Sequence, residues 1–294
     1  MRNVEAAVIR DTVKKLCIDS NLFLPDDVKK ALEQSIEIEK SPLGREILRD
    51  IVKNAEIAAR DEVPICQDTG FAVFFVELGQ EVAVVGGGFN DAINEGVRQG
   101  YKEGYLRKSI VDDPFYRRKN TSDNTPAIIH TFIVPGDRIR ITIAPKGGGS
   151  ENVGAQYRLP DEQLHAGRDL DGVRRVILDA AFKAQGQGCP PGVLGVGIGG
   201  DRSSSYAASK KVLLRRLDDV NPDSILAALE IQITNEVNQL GIGPMGLGGK
   251  TSLMGVKLAT LHRLPACYFV SISYMCWAYR RRKMMVDGAD VSFV

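Results

Sequence analysis

The sequence predicts an α+β fold, a single compact mixed helix/sheet unit spanning residues 1–294. Three observations lead there. The first sixty residues place apolar side chains at helical spacing. Strand-like and helix-like stretches then follow without a regular βαβ rhythm. Two strong strands, 128–134 and 138–144, succeed one another across a turn and read as an adjacent antiparallel pair. No internal repeat and no Pro/Ser-rich linker interrupts the chain, so one domain is expected.

Taken in order, Val4, Val8, Ile9, Val13 and Leu16 mark the apolar face of a first helix. Leu24-Pro25-Asp26-Asp27 opens a second with a proline and first-turn acids, and Ser41-Pro42-Leu43 opens a third that carries Ile47, Leu48, Ile51, Val52 and Ala55. Residues 71–78 and 82–85 predict strands, and 89–110 a helix. Pro135-Gly136-Asp137 supplies the turn chemistry between the two strong strands. A helix over 170–184, a short strand over 193–198, helices over 203–214 and 223–240, and a last strand over 268–274 complete the pattern. The basic run Arg280-Arg281-Arg282-Lys283 is expected at the surface or in a subunit contact.

Composition narrows the function classes. With 44% hydrophobic and 26% charged residues, the chain has the make-up of a globular protein. A formal net charge of +1 gives no electrostatic reason to expect nucleic acid or an anionic membrane as partner. Met1-Arg2-Asn3-Val4-Glu5 introduces an acid early and no apolar core follows, so no signal peptide is expected. No window approaches eighteen uninterrupted apolar residues, so no membrane partner is expected and the cytoplasm is the default location. The five cysteines (Cys17, Cys66, Cys189, Cys267, Cys276) are an odd, sparse set unlike a disulfide framework. The 30 glycines exceed the usual ~7%. They concentrate at 86–88, 147–149, 195–200 and 241–249, where backbone can approach something closely.

The densest chemistry lies in Pro64-Ile65-Cys66-Gln67-Asp68-Thr69-Gly70. A soft thiolate, an amide and a carboxylate leave one loop within three residues. On spacing alone a cysteine is a small buried hydrophobe, and no CxxC pattern announces a metal. Cys66 and Cys189 nevertheless fall in loops at strand edges, where ligands are presented, and Cys276 follows the last expected strand. Cys17, on a helical apolar face, and Cys267, after Pro265-Ala266, read as structural. Asp68 could cap a turn or carry a proton. Lys146-Gly147-Gly148-Gly149-Ser150 follows a strand, so its N–H groups could cradle a carboxylate or simply make a tight turn.

An ordered series of motifs extends this loop. Cys66-Gln67-Asp68-Thr69-Gly70 is followed by Leu106-Arg107-Lys108-Ser109 with Asp113-Pro114, then Asn120-Thr121-Ser122-Asp123-Asn124-Thr125-Pro126-Ala127 and Lys146 to Asn152. Gly188-Cys189-Pro190-Pro191, Gly195 to Gly200, Gly248-Gly249-Lys250-Thr251 and Cys276 close it. In this order, over roughly residues 5–285, the series resembles the alpha subunit of two-subunit class I fumarases, a family that includes L-tartrate dehydratases. The resemblance implies a [4Fe–4S] cluster held by Cys66, Cys189 and Cys276, with one iron lacking a protein thiolate and open as a Lewis acid. It implies Asp68 as the catalytic proton carrier. Gln67, Arg107, Gly148 and, less directly in register, His262 would bind a small dicarboxylate substrate, for which an arginine fork is suited. It further implies reversible, non-redox hydration of fumarate to (S)-malate, a separate fumarase beta subunit and an α2β2 assembly. Tartrate dehydration is the nearest alternative, and a non-catalytic iron–sulfur sensor is another.

Two further patterns point elsewhere. Gly195-Val196-Gly197-Ile198-Gly199-Gly200 formally matches the dinucleotide fingerprint, with Asp218 and Asp219 at a suitable distance, but no βαβ unit opens the chain. Gly243 to Thr251 resembles a phosphate loop with one residue too many and no preceding strand.

Overall fold

The computed structural model describes residues 1–294. The chain begins with β1 (Arg2–Glu5), α1 (Ala6–Leu22), α2 (Asp26–Ile38) and α3 (Pro42–Asp61). It continues through β2 (Phe71–Gly79), β3 (Val82–Val85), α4 (Phe89–Glu103), β4 (Ile128–Val134), β5 (Ile139–Lys146), the short α5 (Gly148–Asn152) and β6 (Ala155–Arg158). Then come α6 (Leu170–Ala184), β7 (Gly192–Gly199), α7 (Arg202–Val212), α8 (Ser224–Gln239), β8 (Leu253–Leu261), β9 (Phe269–Met275), β10 (Arg282–Asp287) and β11 (Asp290–Phe293). The mixed helix and sheet content is the α+β organisation that the sequence predicts.

Two compact units can be distinguished, residues 1–25, 54–148 and 280–294 in the first and 26–53 and 149–279 in the second. The chain passes between them at four points, none of them a composition break, which is why no linker is visible in the sequence.

The first unit is built on a five-stranded sheet of order β11-β10-β5-β2-β4, with β1 and β3 forming a small parallel pair. Ile9, Val13 and Leu16 of α1 and Ile93, Val97 and Tyr101 of α4 pack with Phe74, Val76, Ile139, Ile141, Ile143, Met284 and Val286 of the sheet. Fully burying such aliphatic side chains stabilises by about 1.5–3 kcal/mol each. Here the expected β4–β5 pair is corrected. β2 lies between them, parallel to β4 and antiparallel to β5. The 135–138 connection caps the end of β2 instead of closing a hairpin: Gln80 N–H donates to Val134 O at 2.9 Å and Glu81 N–H to Gly136 O at 3.0 Å.

α4 ends at Glu103, short of the expected 110. Gly104 closes it and Tyr105 turns to positive φ. The strand over 269–275 is not the last. β10 follows and pairs antiparallel with β5, starting inside the basic run. That run is not a surface patch: Arg280 and Arg281 are buried.

The second unit carries a four-stranded sheet of order β6-β9-β7-β8. β7 and β8 are parallel, joined through α7 and α8, a crossover the sequence reading did not foresee because β8 was not recognised as a strand. Side chains alternate along β7. Leu194, Val196 and Ile198 enter the core with Val173, Val176 and Ile177 of α6 and Leu229 and Ile233 of α8. Gly195 and Gly197 face α7 instead: a Cβ there would stand 2.2 Å from Ser209 O and 2.1 Å from Ser205 O. These glycines therefore lie within a strand and admit a close helix. The following turn, where a dinucleotide fingerprint would receive a pyrophosphate, gives the α7 N–H groups to Asp201, which accepts from Ser204 N–H at 2.7 Å.

Candidate functional site

The 66–70 loop of the first unit is fixed from several sides. Ile65 N–H donates to Asn21 O at 2.9 Å, and Asn54 Nδ2 donates to Ile65 O at 2.8 Å, so the peptide entering Cys66 is clamped. Thr69 Oγ1 donates to Arg107 O at 2.8 Å. Buried Asn124 spans two stretches: it accepts from Ser109 N–H at 2.8 Å and donates to Gly70 O at 3.1 Å. From below, the Tyr101 hydroxyl lies 3.0 Å from the carbonyls of both Thr69 and Gly70. Three motifs separated in sequence, 66–70, 106–109 and 120–127, thereby become one polar assembly.

Asp68 sits at its centre, half-buried. Its Oδ2 accepts the Gly148 N–H at 2.7 Å and its Oδ1 the Gly70 N–H at 3.1 Å. The glycine cradle after β5 thus holds a carboxylate, and that carboxylate is Asp68's own. Gly147 makes the approach possible, since a Cβ on it would stand 2.8 Å from Asp68 Oδ2. Gln67 and Arg107 are exposed on the same assembly, with Arg107 anchored by its carbonyl while its side chain reaches solvent.

Cys189 and Cys276 lie in the second unit. Cys189 follows a 3-10 turn over Gln185–Gly188 and takes left-handed backbone angles, φ 54° and ψ 65°. Its carbonyl accepts the N–H of Trp277 at 3.2 Å, fastening the Cys189 turn to the residue after Cys276. The buried ring of Tyr274 lies against Gly188 and Gly192, on either side of Cys189-Pro190-Pro191. Burial, and after it the nearby Cys276 and Cys189, push the Tyr274 hydroxyl up. His262 is exposed just past β8, where its carbonyl accepts Gly200 N–H at 3.2 Å.

Cys66, Cys189 and Cys276 are half-buried thiols on loops, the soft, accessible donors that iron–sulfur clusters take. Cys17 is the contrast, fully enclosed in the first core with its thiol pushed up by burial. In donor chemistry and loop placement the three fit a cluster. No three His, Cys, Asp or Glu side chains are gathered at metal-binding range. Two surface cavities, about 540 Å³ between α6 and α8 and about 380 Å³ beside the β4–β5 connection, are lined by none of these residues.

A model of the fumarate hydratase (Fumerase) family matches residues 10–285. The chain belongs to the fumarate hydratase family. A Geobacillus stearothermophilus relative named as a class I fumarate hydratase is 39% identical over 284 residues, covering 94% of this chain and 54% of that protein. The chain therefore spans about half the length of that relative. A Methanocaldococcus jannaschii protein named as an L(+)-tartrate dehydratase alpha subunit is 35% identical, covering 93% of this chain and 95% of its own. The alpha subunit of Escherichia coli O157:H7 L(+)-tartrate dehydratase is 31% identical, over 92% of this chain and 88% of its own. No helix is long and apolar enough to cross a membrane.

Sequence reasoning found the loop but missed its supports. Asn124 lies within the 120–127 motif, and its positive φ is a state that asparagine tolerates. Tyr101 and Asn21 gave no signal, since at helical spacing they look like ordinary core residues.

Proposed function

We propose that this chain is the cluster-carrying alpha subunit of a hydro-lyase that interconverts fumarate and (S)-malate. Its cofactor would be a [4Fe–4S] cluster held by Cys66, Cys189 and Cys276. When bound, the cluster supplies an open iron that acts as a Lewis acid toward the substrate's hydroxyl and carboxylate oxygens.

The chain's own residues then divide the remaining tasks. Asp68 carries the proton at the oxygen that leaves as water, or arrives as water in the reverse direction. The Gly148 and Gly70 N–H groups hold that carboxylate, so it keeps one orientation between turnovers. Arg107 offers a planar pair of donors to a substrate carboxylate, and Gln67 an orienting amide. His262 is assigned to substrate binding on the family resemblance. The observation that carries the reading is the loop itself: a cysteine, a held carboxylate and an anchored arginine in one bonded assembly. The carbon base and further carboxylate contacts would come from a separate beta subunit, in an α2β2 assembly in the cytoplasm. Support for a partner comes from relatives that are themselves named alpha subunits.

L-tartrate dehydration is the second reading. It is favoured by the near-complete coverage of the tartrate dehydratase alpha subunits, against half of the fumarate hydratase relative. Anaerobic reconstitution with iron and sulfide tests the cofactor. About four irons per chain are expected, lost in Cys66→Ser, Cys189→Ser and Cys276→Ser but retained in Cys17→Ser and Cys267→Ser. A folded chain that takes up no iron would overturn the reading. Parallel fumarate and tartrate assays with the beta chain decide the substrate.

A further inference from the structure

Arg280 is the largest fully enclosed side chain of the molecule, 2% exposed. Its Nη1 donates to Asn21 Oδ1 at 2.8 Å, while its Nε has no hydrogen-bond partner. The bonded group is a neutral amide. A buried guanidinium is strongly unfavourable unless an anion and a full set of acceptors compensate it. The fold therefore keeps a cation with a spare donor in its first unit.

Its position is specific. Asn21 is fully buried, and its Nδ2 donates to Cys17 O at 2.9 Å. The Asn21 carbonyl accepts the Ile65 N–H, directly before Cys66. Tyr101 braces the far end of the same loop, and its hydroxyl, pushed up first by burial, also feels the opposed charges of Arg280 and Asp68. In sequence Arg280 follows Cys276 by a few residues. The buried cation is thus tied through Asn21, by its side-chain Oδ1 to Arg280 and by its main-chain carbonyl to Ile65, to the peptide of a proposed cluster ligand, and by chain to another.

We propose that Arg280 is a positioning residue for the cluster site: through Asn21 it sets the Ile65–Cys66 peptide, and its charge balances the anionic thiolate set to which Cys66 belongs. This rests on the cluster reading given under Proposed function. Fixed charge and hydrogen bonding around the ligands are among the means by which a protein tunes cluster affinity and potential.

The test uses the full chain with Arg280→Gln, which is neutral and ends two atoms short of the Nη1 that bonds Asn21, Arg280→Lys, which keeps the charge, and Asn21→Asp, which gives Arg280 an internal carboxylate. Amide hydrogen exchange of Ile65 is measured without cluster. Iron content and the midpoint potential by EPR-monitored titration are measured after anaerobic reconstitution. In Arg280→Gln, Ile65 should exchange about tenfold faster, iron retention should fall by about tenfold or more under chelator challenge, and the midpoint should move negative. Arg280→Lys should restore part of all three. Asn21→Asp, which keeps the fold if Arg280→Gln does not, should move the midpoint negative while protecting Ile65. Unchanged Ile65 exchange in Arg280→Gln, or an unchanged midpoint in Asn21→Asp, would overturn the proposal. If wild type takes up no iron while Ile65 protection still follows Arg280, the cluster reading and charge balancing fall together, and the setting of the loop stands.

Discussion

At the scale of single residues, the molecule repeatedly closes a glycine-rich loop on one of its own carboxylates. Gly147-Gly148 takes Asp68, and the backbone at Lys250 and Thr251 takes Glu39. Only the first of these carboxylates is half-exposed in a cysteine-bearing loop, and it is the one to which we assign proton transfer. Asp68→Asn should lower kcat of the reconstituted pair by about 10²–10⁴-fold, the usual worth of a general acid–base group, with KM little altered. Steady-state kinetics at saturating substrate measures this, and a loss below about tenfold would remove Asp68 from proton transfer. Gly147→Ala gives a finer test. The added methyl pushes on Asp68 Oδ2, so kcat should fall while iron content holds. Loss of iron in that variant would point to general loop damage. The cysteine pattern and the Asp68 loop were legible in the sequence because thiol, amide and acid are adjacent there. The bond from Gly148 to Asp68 was not, because it joins residues separated by four strands and a helix.

At the scale of elements, Glu39 ends the turn after α2 and binds the 250–251 backbone. It accepts from Lys40 N–H, Ser41 N–H, Lys250 N–H and Thr251 N–H at 2.7–3.0 Å. Burial acts to raise its carboxyl, yet the N–H groups of Lys250, Ser41 and Thr251 outweigh burial and leave it below its ordinary range. A carboxyl lowered by folding stabilises above its unfolded value of ~4.3 and loses that contribution as pH falls through its folded value. Glu39→Gln should therefore cost about 1–3 kcal/mol at neutral pH, with the deficit shrinking in acid. Urea denaturation of both proteins across that range measures it. A deficit of equal size in acid would assign the loss to packing. α7 offers an independent element test. Gly197→Ala inserts a methyl against Ser205 O and should destabilise by about 1–3 kcal/mol through overpacking. Equal urea midpoints for the two chains would show that α7 yields readily.

At the scale of the whole molecule, helices announced themselves and several strands did not. α2 and α3 carry clear starts and α1 its apolar periodicity, and with α6 they appear close to where the sequence placed them, except that Val4, read as part of the first helix, lies in β1. β8 mixes Lys257 and Thr260 into a short apolar run. Lys257 is nevertheless buried, with its ammonium on Asp219 Oδ1 at 2.5 Å and on two carbonyls, so a strand position looked like a surface one. β10 was hidden for a similar reason, since arginines that read as solvated in sequence are buried or enter the sheet. Pairing order was beyond reach as well: nothing local to 128–146 reveals that β2 intervenes between the two strong strands. One prediction belongs at this scale. Iron uptake should be a property of this chain alone, whereas turnover should need the second polypeptide. Mixing titrations should give activity that saturates with added beta chain, and comparable turnover by this chain alone would sink the two-subunit reading.

The order of strands also bears on how the molecule is made. β5 is an interior strand of the first sheet, yet its neighbour β10 emerges from the ribosome only after every strand of the second sheet. Throughout that interval one edge of β5, rich in isoleucine, lacks its native partner, the situation in which nascent chains recruit strangers. Synthesis therefore has a vulnerable window, bounded by Lys146 and Arg282, in which a chaperone has the most to protect.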